Sequence, residues 1–244
     1  MPVKPSLSRR ASGILLHPTS LPGARGGTLG VEALAFVDFL ADCGQSWWQM
    51  LPVCTPDEIG SPYASPSSFA GSPALIDTDI LAVEGLLKKA ELGQSKEKAL
   101  RAAFGSFPRR AGREEKADFE AFRVREAWWL ADHALFLALK DAHHGRSWTE
   151  WDERLRRREP ARLAEARANV ADELRYHEFV QWLFSRQWEG VRRHAAARGV
   201  GLMGDAPIYV RHDSADCWAN QDLFFLNDAG VPTVAAGVPP DYFS

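Results

Sequence analysis

Residues 12–53 open with Ser12-Gly13-Ile14-Leu15-Leu16-His17-Pro18 and close with Trp47-Trp48-Gln49-Met50-Leu51-Pro52-Val53. Each is a short apolar run bounded by proline, the pattern of a buried strand. Between them, 31–43 set Ala33, Phe36, Val37 and Leu40 on one helical face, and Gly44 stops the helix. Strand, helix and strand in so short a span make a βαβ unit, which implies a parallel pair. Trp47 and Trp48 are neighbours on a strand, so their rings point to opposite faces, and one of them belongs to the core.

Outward from this unit comes a loop over 54–73, rich in Ser, Pro and Gly, with Tyr63, Phe69 and few charges. Loops longer than about 12–15 residues are usually functional or disordered. The rings and the low charge favour an ordered functional loop. Residues 77–198 read as almost entirely helical. Helices are expected at 79–92, at 96–104 (ended by Gly105 and Pro108), at 113–143, at 150–168 with a kink or start at Pro160, and at 170–198. In the last, Val180, Phe184, Trp188 and Val191 form an apolar stripe that reads as core. A third buried strand is expected at 200–205, ending in Asp205. Asp213-Ser214 then caps a short helix at 215–218, and 233–238 read as a short strand. The pattern is α/β, and both an open doubly wound sheet and an unfinished barrel fit it.

Composition narrows the function. The 244 residues approach the ~250 of a bare (β/α)8 barrel. With 45% hydrophobic and 25% charged residues, the chain reads as a soluble globular protein. A net charge of −3 gives no reason to expect nucleic acid or an anionic membrane as partner. Cys43, Cys54 and Cys217 are odd in number and widely spaced, which argues against a disulfide framework or a zinc site. The first residues lack the apolar core of a signal peptide, and no run reaches the ~18 apolar residues of a membrane span. A cytoplasmic location is the expectation. Nine tryptophans suit either a core or a sugar site, and for any single ring the core is the commoner fate. P-loop, dinucleotide, zinc-hydrolase and nucleophile-elbow motifs are absent from the sequence. His17, after the first strand, reads equally as a ligand or base and as a hydrogen-bonded loop histidine.

Four segments carry a family resemblance. They are Gly13-Ile14-Leu15-Leu16-His17-Pro18-Thr19-Ser20-Leu21-Pro22-Gly23; Gln45-Ser46-Trp47-Trp48-Gln49-Met50-Leu51-Pro52 with Gly60-Ser61-Pro62-Tyr63 and Phe69-Ala70-Gly71; Gly204-Asp205-Ala206-Pro207-Ile208-Tyr209-Val210 with Asp213-Ser214-Ala215-Asp216; and Ala236-Gly237-Val238-Pro239-Pro240-Asp241-Tyr242-Phe243-Ser244. In this order and spacing they resemble the 4-alpha-glucanotransferases (amylomaltases, glycoside hydrolase family 77), from about Ser12 to the last residue. The resemblance implies the N-terminal part of a (β/α)8 TIM barrel with a large helical insertion, the barrel being incomplete in this chain. The implied divisions are an extension at 1–11, the first βαβ unit and substrate loop at 12–76, a helical insertion at 77–169, and a barrel helix, third strand and truncated loop at 170–244.

The implied activity is transfer of α-1,4-glucan segments to the 4-hydroxyl of glucose or another glucan by a retaining double displacement, without metal or organic cofactor. Maltooligosaccharides, glucose and α-1,4-glucans are the implied partners. The resemblance puts the nucleophile, the acid/base and a third acid beyond Ser244, so no catalytic residue is expected here and the chain alone is expected to be inactive. The alternative is an inert or glucan-binding fragment. By resemblance, Tyr63 faces glucose near the cleaved bond, Ser61 lies beside it, Asp205 shapes the site, and Asp241 and Tyr242 lie on the substrate side. Thr28 departs from a common Asp, 54–59 from a Gly- and Tyr-containing stretch, and Ala64 from a frequent Gln.

Overall fold

A computed structural model describes residues 8, 10–23, 26–207, 209–234 and 237. Three strands, β1 (Gly13–Leu15), β2 (Trp47–Gln49) and β3 (Gly201–Met203), form a parallel sheet in the order β1-β2-β3. Ile14, Trp48 and Leu202 share one rung of the ladder. Pairing continues one residue further, with Leu16 N–H donating to the Gln49 carbonyl at 2.9 Å and Met50 N–H to the Met203 carbonyl at 3.0 Å. A side chain at Gly13 would put its Cβ 2.5 Å from the Trp47 carbonyl oxygen, so glycine is what lets β1 approach β2.

The strands are shorter than the apolar runs. Pro52 has no N–H to donate, and the chain leaves the ladder before it. Among the described residues the sheet is covered on one face. Helices α1 (Val31–Asp42) and α8 (Ala171–Arg198) pack together on one face of the sheet, where Trp48 is wholly buried with Ala33, Val37, Leu40, Val191 and Ala195. The Trp48 ring meets Phe36 edge-on at 5.0 Å, and its Nε1 donates to the Leu16 carbonyl at 2.7 Å. The opposite face carries Leu15, 56% exposed, and an exposed Gln49. Both crossovers thus lie on one side of a sheet whose order follows the sequence. A doubly wound sheet reverses its order and covers both faces; among the described residues neither feature occurs.

The helical middle has more breaks than periodicity suggested. The expected helix at 79–92 is α2 (Thr78–Val83) plus a turn of 3-10 helix at Lys89–Glu91. Gly85, at φ 78°, ends α2, with Leu86 N–H closing onto the Leu81 carbonyl at 2.9 Å. The next helix, α3 (Lys96–Arg110), runs through both Gly105 and Pro108. Proline there removes one helical hydrogen bond, but buried Phe107 packs against Phe119, Phe179 and Trp182 at 5.1–5.7 Å and carries the helix on. The expected helix at 113–143 is two, α4 (Arg113–Arg125) and α5 (Ala127–Ala142). They break at Glu126, whose carboxylate accepts from Trp129 Nε1 at 3.0 Å and Arg125 Nε at 2.9 Å. Further on, α6 (Glu153–Arg156) and α7 (Pro160–Asn169) replace the expected 150–168, and Pro160 does begin a helix.

A second core gathers Leu135, Phe136, Trp148, Trp151 and Trp218 around α5 and the short helix α9 (Ala215–Ala219). Ser214 caps α9, its Oγ accepting from Cys217 N–H at 3.0 Å. Thr233 and Val234, part of the expected strand at 233–238, are not in a strand, and most of the remainder lies outside the described residues. Trp48, Trp148, Trp151, Trp182 and Trp218 are all buried, whereas Trp128 is 67% exposed. Among the described residues no helix is long and apolar enough to cross a membrane.

Candidate functional site

Parallel sheets build their sites in the loops that leave the carboxyl ends of the strands. Here these are the turn at His17, the loop 54–73 and the segment from Gly204 onward. His17 caps a turn of 3-10 helix at Pro18–Ser20, with Nδ1 accepting from Thr19 N–H and 2.7 Å from Thr19 Oγ1. Burial pushes its pKa below the usual histidine value, with the Pro52 backbone opposing the shift. At neutral pH it is therefore an uncharged organiser of its turn.

The loop 54–73 is fastened along its length. Asp57 Oδ1 accepts from Ile59 N–H at 3.0 Å and Ser61 N–H at 2.8 Å, and Gly60 takes φ 87° between them. The Cys54 thiol donates to the Pro62 carbonyl at 3.0 Å, and burial pushes its pKa up, which keeps the donor proton in place. Thus the departure at 54–59 still folds into an ordered turn ahead of Ser-Pro-Tyr. Further on, Ser68 N–H donates to Asp216 Oδ2 at 2.6 Å, and Ala215 N–H to the Pro66 carbonyl at 2.9 Å.

Tyr63 and Asp205, 142 residues apart in sequence, meet across the loops after β2 and β3. The Tyr63 hydroxyl donates to Asp205 Oδ2 at 2.7 Å, and Asp205 Oδ1 accepts from Ala206 N–H at 2.9 Å. The Asp205 carboxylate pushes the Tyr63 pKa up, first through this hydrogen bond, so the phenol stays protonated and donating. Ser61 joins them, its Oγ accepting from Tyr63 N–H at 3.3 Å. A second latch ties the same loops, Arg211 to Glu58 at 2.5 Å, and it holds the Glu58 carboxyl below its usual range. Ser61, Tyr63 and Asp205 are thus brought together. Asp241 and Tyr242 lie outside the described residues.

Two residues that sequence reading passed over as core helix secure the end of this loop and the segment that follows it. Buried Gln181 on α8 accepts from Gly71 N–H at 2.9 Å and donates to the Gly71 carbonyl at 3.0 Å. Gln187 does the same for Asp77, at 2.7 and 2.9 Å. Gly71 lies so close to α8 that a Cβ there would be 2.2 Å from the Phe184 ring. The available signal was a pair of neutral amides among the mostly apolar buried residues of α8. Asp77 also accepts from the Thr28 hydroxyl at 2.6 Å, so threonine supplies a donor where a second acid would repel.

Asp141, Glu173 and His177 converge on α5 and α8 within 4.8 Å of one another. Glu173, however, pairs with Arg101 at 2.6 Å and His177 Nε2 lies 3.0 Å from Asp141 Oδ2, so the three side chains already have protein partners. A cleft of 720 Å3 between α1, α2, α4 and α8 lies on the helical side and is lined by paired charges such as Arg186 and Glu84. A second, of 360 Å3, opens beside Asp205 and the loop 54–73.

The sequence model of glycoside hydrolase family 77, described as 4-alpha-glucanotransferase, matches residues 16–244. The chain belongs to this family. It is 48% identical over 248 residues to the 4-alpha-glucanotransferase of Thermus thermophilus, covering 96% of this chain and 50% of that protein. The Synechocystis sp. 4-alpha-glucanotransferase is 43% identical over 256 residues, covering 98% and 51%. Among solved structures, the amylomaltase of Streptococcus agalactiae in complex with acarbose superposes with a TM-score of 0.88 at 36% identity, over 97% of this chain and 51% of that one. The Corynebacterium glutamicum amylomaltase, at 20% identity and a TM-score of 0.67, shares the fold. The chain spans about half the length of the curated relatives it matches.

Proposed function

We propose that this chain forms the glucan-gripping part of a 4-alpha-glucanotransferase and supplies the first three strands of a (β/α)8 barrel. The consecutive parallel strand order and the same-side crossovers support the barrel, with 77–169 as a helical insertion into it. The substrates on this reading are maltooligosaccharides and other α-1,4-glucans, with the 4-hydroxyl of glucose or a glucan as acceptor. A cytoplasmic location goes with that substrate class.

The observation that carries the reading is the hydrogen bond from Tyr63 to Asp205, which joins two loops at the carboxyl ends of neighbouring parallel strands. In a retaining transfer one carboxylate attacks the anomeric carbon while an acid protonates the leaving oxygen. The same acid, now a base, then takes the proton of the acceptor hydroxyl, and the two groups stand ~5–5.5 Å apart. Those carboxylates belong, on this proposal, to the half of the relatives that the chain does not match. The residues present here bind and orient. The Tyr63 ring offers an apolar face to the C–H face of a glucose unit and a hydroxyl donor at its tip. Asp205 keeps lone pairs free for sugar hydroxyls after its two bonds, since a carboxylate has about four acceptor positions. Ser61 accepts from the backbone and retains its own proton for donation. Asp241 and Tyr242 are assigned to the same face.

Calorimetric titration of the 244-residue chain with maltotriose tests this. Tyr63→Ala is expected to raise Kd about tenfold or more, the effect of removing an aromatic anchor. Tyr63 is only partly buried and its hydrogen bond to Asp205 is exposed to water, so the melting temperature should fall by only a few degrees. Unchanged affinity with lowered stability would make the ring a loop anchor and sink the assignment.

A further inference from the structure

Beyond Asp205 the 360 Å3 cleft runs between the loop 54–73 and the start of α5, along α8. Its volume falls in the range of about 300–1,000 Å3 for small-molecule sites. Two aromatic rings stand at its margin. Phe69 is 53% exposed and Trp128 is 67% exposed, and they touch edge to face at 4.7 Å and 73°. Exposed apolar side chains scattered singly need no explanation, but a contacting pair at the rim of a cleft does. Neither ring is on a loose support. Phe69 N–H donates to the buried Ser67 Oγ at 3.2 Å, and Trp128 stands in the first turn of α5. Fixed rings keep the ordering cost of binding low.

Charge selects the occupant. Among the described residues lining the cleft there is no Lys or Arg, while Glu126 and Asp205 contribute carboxylates and Ser68 and Ser185 contribute small polar groups. An anionic ligand such as a nucleic acid would find no cationic partner among those residues. A neutral polyhydroxyl chain would meet aromatic faces for its C–H surfaces and acceptors for its hydroxyls. The cleft is also continuous with the proposed sugar site, because Asp205 belongs to both.

We propose that this cleft extends the glucan-binding surface, with Phe69 and Trp128 holding glucose units several residues away from the one at Tyr63, so that affinity grows with oligosaccharide length. The proposal rests on the reading of Tyr63 and Asp205 as a glucan site, and commits the cleft to the same α-1,4-glucan. The rings act by binding alone and have no part in bond cleavage.

The test is calorimetry of the 244-residue chain with maltotriose and maltoheptaose, for the unmodified protein and for Trp128→Ala, Trp128→Tyr, Phe69→Ala and Tyr63→Ala. Trp128→Ala and Phe69→Ala are each expected to raise the maltoheptaose Kd by about tenfold, while the maltotriose Kd moves by less than about twofold. Trp128→Tyr, which keeps an aromatic face, should recover most of the loss. Circular dichroism melts accompany each variant, and Trp128→Tyr with Phe69→Ala decide the matter if Trp128→Ala fails to fold. Maltoheptaose binding that ignores Trp128 and Phe69 but is lost in Tyr63→Ala would overturn the extension and leave the sugar site standing. An unmodified chain that binds neither sugar would overturn both. Maltotriose weakened as strongly as maltoheptaose by Trp128→Ala would place the ring in the primary site and also refute a separate stretch of surface.

Discussion

Replacing Gln181 by leucine separates the scaffold from the loop it holds. Gln181 is 4% exposed, and its amide satisfies both backbone groups of buried Gly71. Leucine has similar bulk but can satisfy neither. Each buried group left without a partner costs about 1–3 kcal/mol, so the pair costs roughly 2–6 kcal/mol against a total stability of about 5–15. Urea denaturation and hydrogen exchange by mass spectrometry report the outcome. The expected result is a loss of at least about 2 kcal/mol, faster exchange across 54–72, and weaker maltotriose binding. Gln187→Leu is the control, since it strips Asp77 in the same way but leaves the loop's own clamp intact. It should lose similar stability while the folded protein keeps its sugar affinity. A Gln181→Leu protein within about 0.5 kcal/mol of the original, with unchanged exchange in the loop, would refute the clamp.

His133 supplies a pH test, because burial, and then the charge of His177, push its pKa down to about 3. An unfolded histidine titrates near 6.5, so between these values the unfolded chain binds the extra proton. Stability is full above about pH 6.5 and falls as pH drops toward 3, by about 2 kcal/mol at pH 5 (1.5 pH units at 1.36 kcal/mol each). Urea melts of His133→Leu should lose that slope between pH 7 and 5, and a slope unchanged by the substitution would refute it. Maltotriose incubated with the pure 244-residue chain should release no glucose above background. Without the proposed carboxylates the rate should fall at least ~10⁴-fold, and glucose release at an ordinary enzymatic rate would overturn that assignment.

How far the molecule was legible follows from how local each determinant is. The βαβ unit was readable because its signals lie within a few residues of their effects. Apolar runs stop at Pro18 and Pro52, and Gly44, at φ 70°, ends α1. Gly85 carried an equally local signal for the end of α2, and periodicity alone overran it. The break at Glu126 and the passage of α3 through Pro108 were different in kind. Each is decided by a partner, the Trp129 indole in one case and the rings around Phe107 in the other, and composition does not reveal which partner prevails. The site shows the same division. Tyr63, Ser61 and Asp205 could be singled out because motifs surround them, but what joins them spans 142 residues. The glutamines that hold the end of the loop and the segment after it are 110 residues from their partners and look like ordinary members of a buried helix. Their role exists only once α8 is laid against the loop after β2. An amide has no use on a dry helix face unless a backbone arrives there to need it. A buried glutamine amid an apolar stripe therefore predicts that an irregular segment crosses that face, and in this chain the segment that crosses is 71–77, where the loop that carries Tyr63 ends and α2 is about to begin.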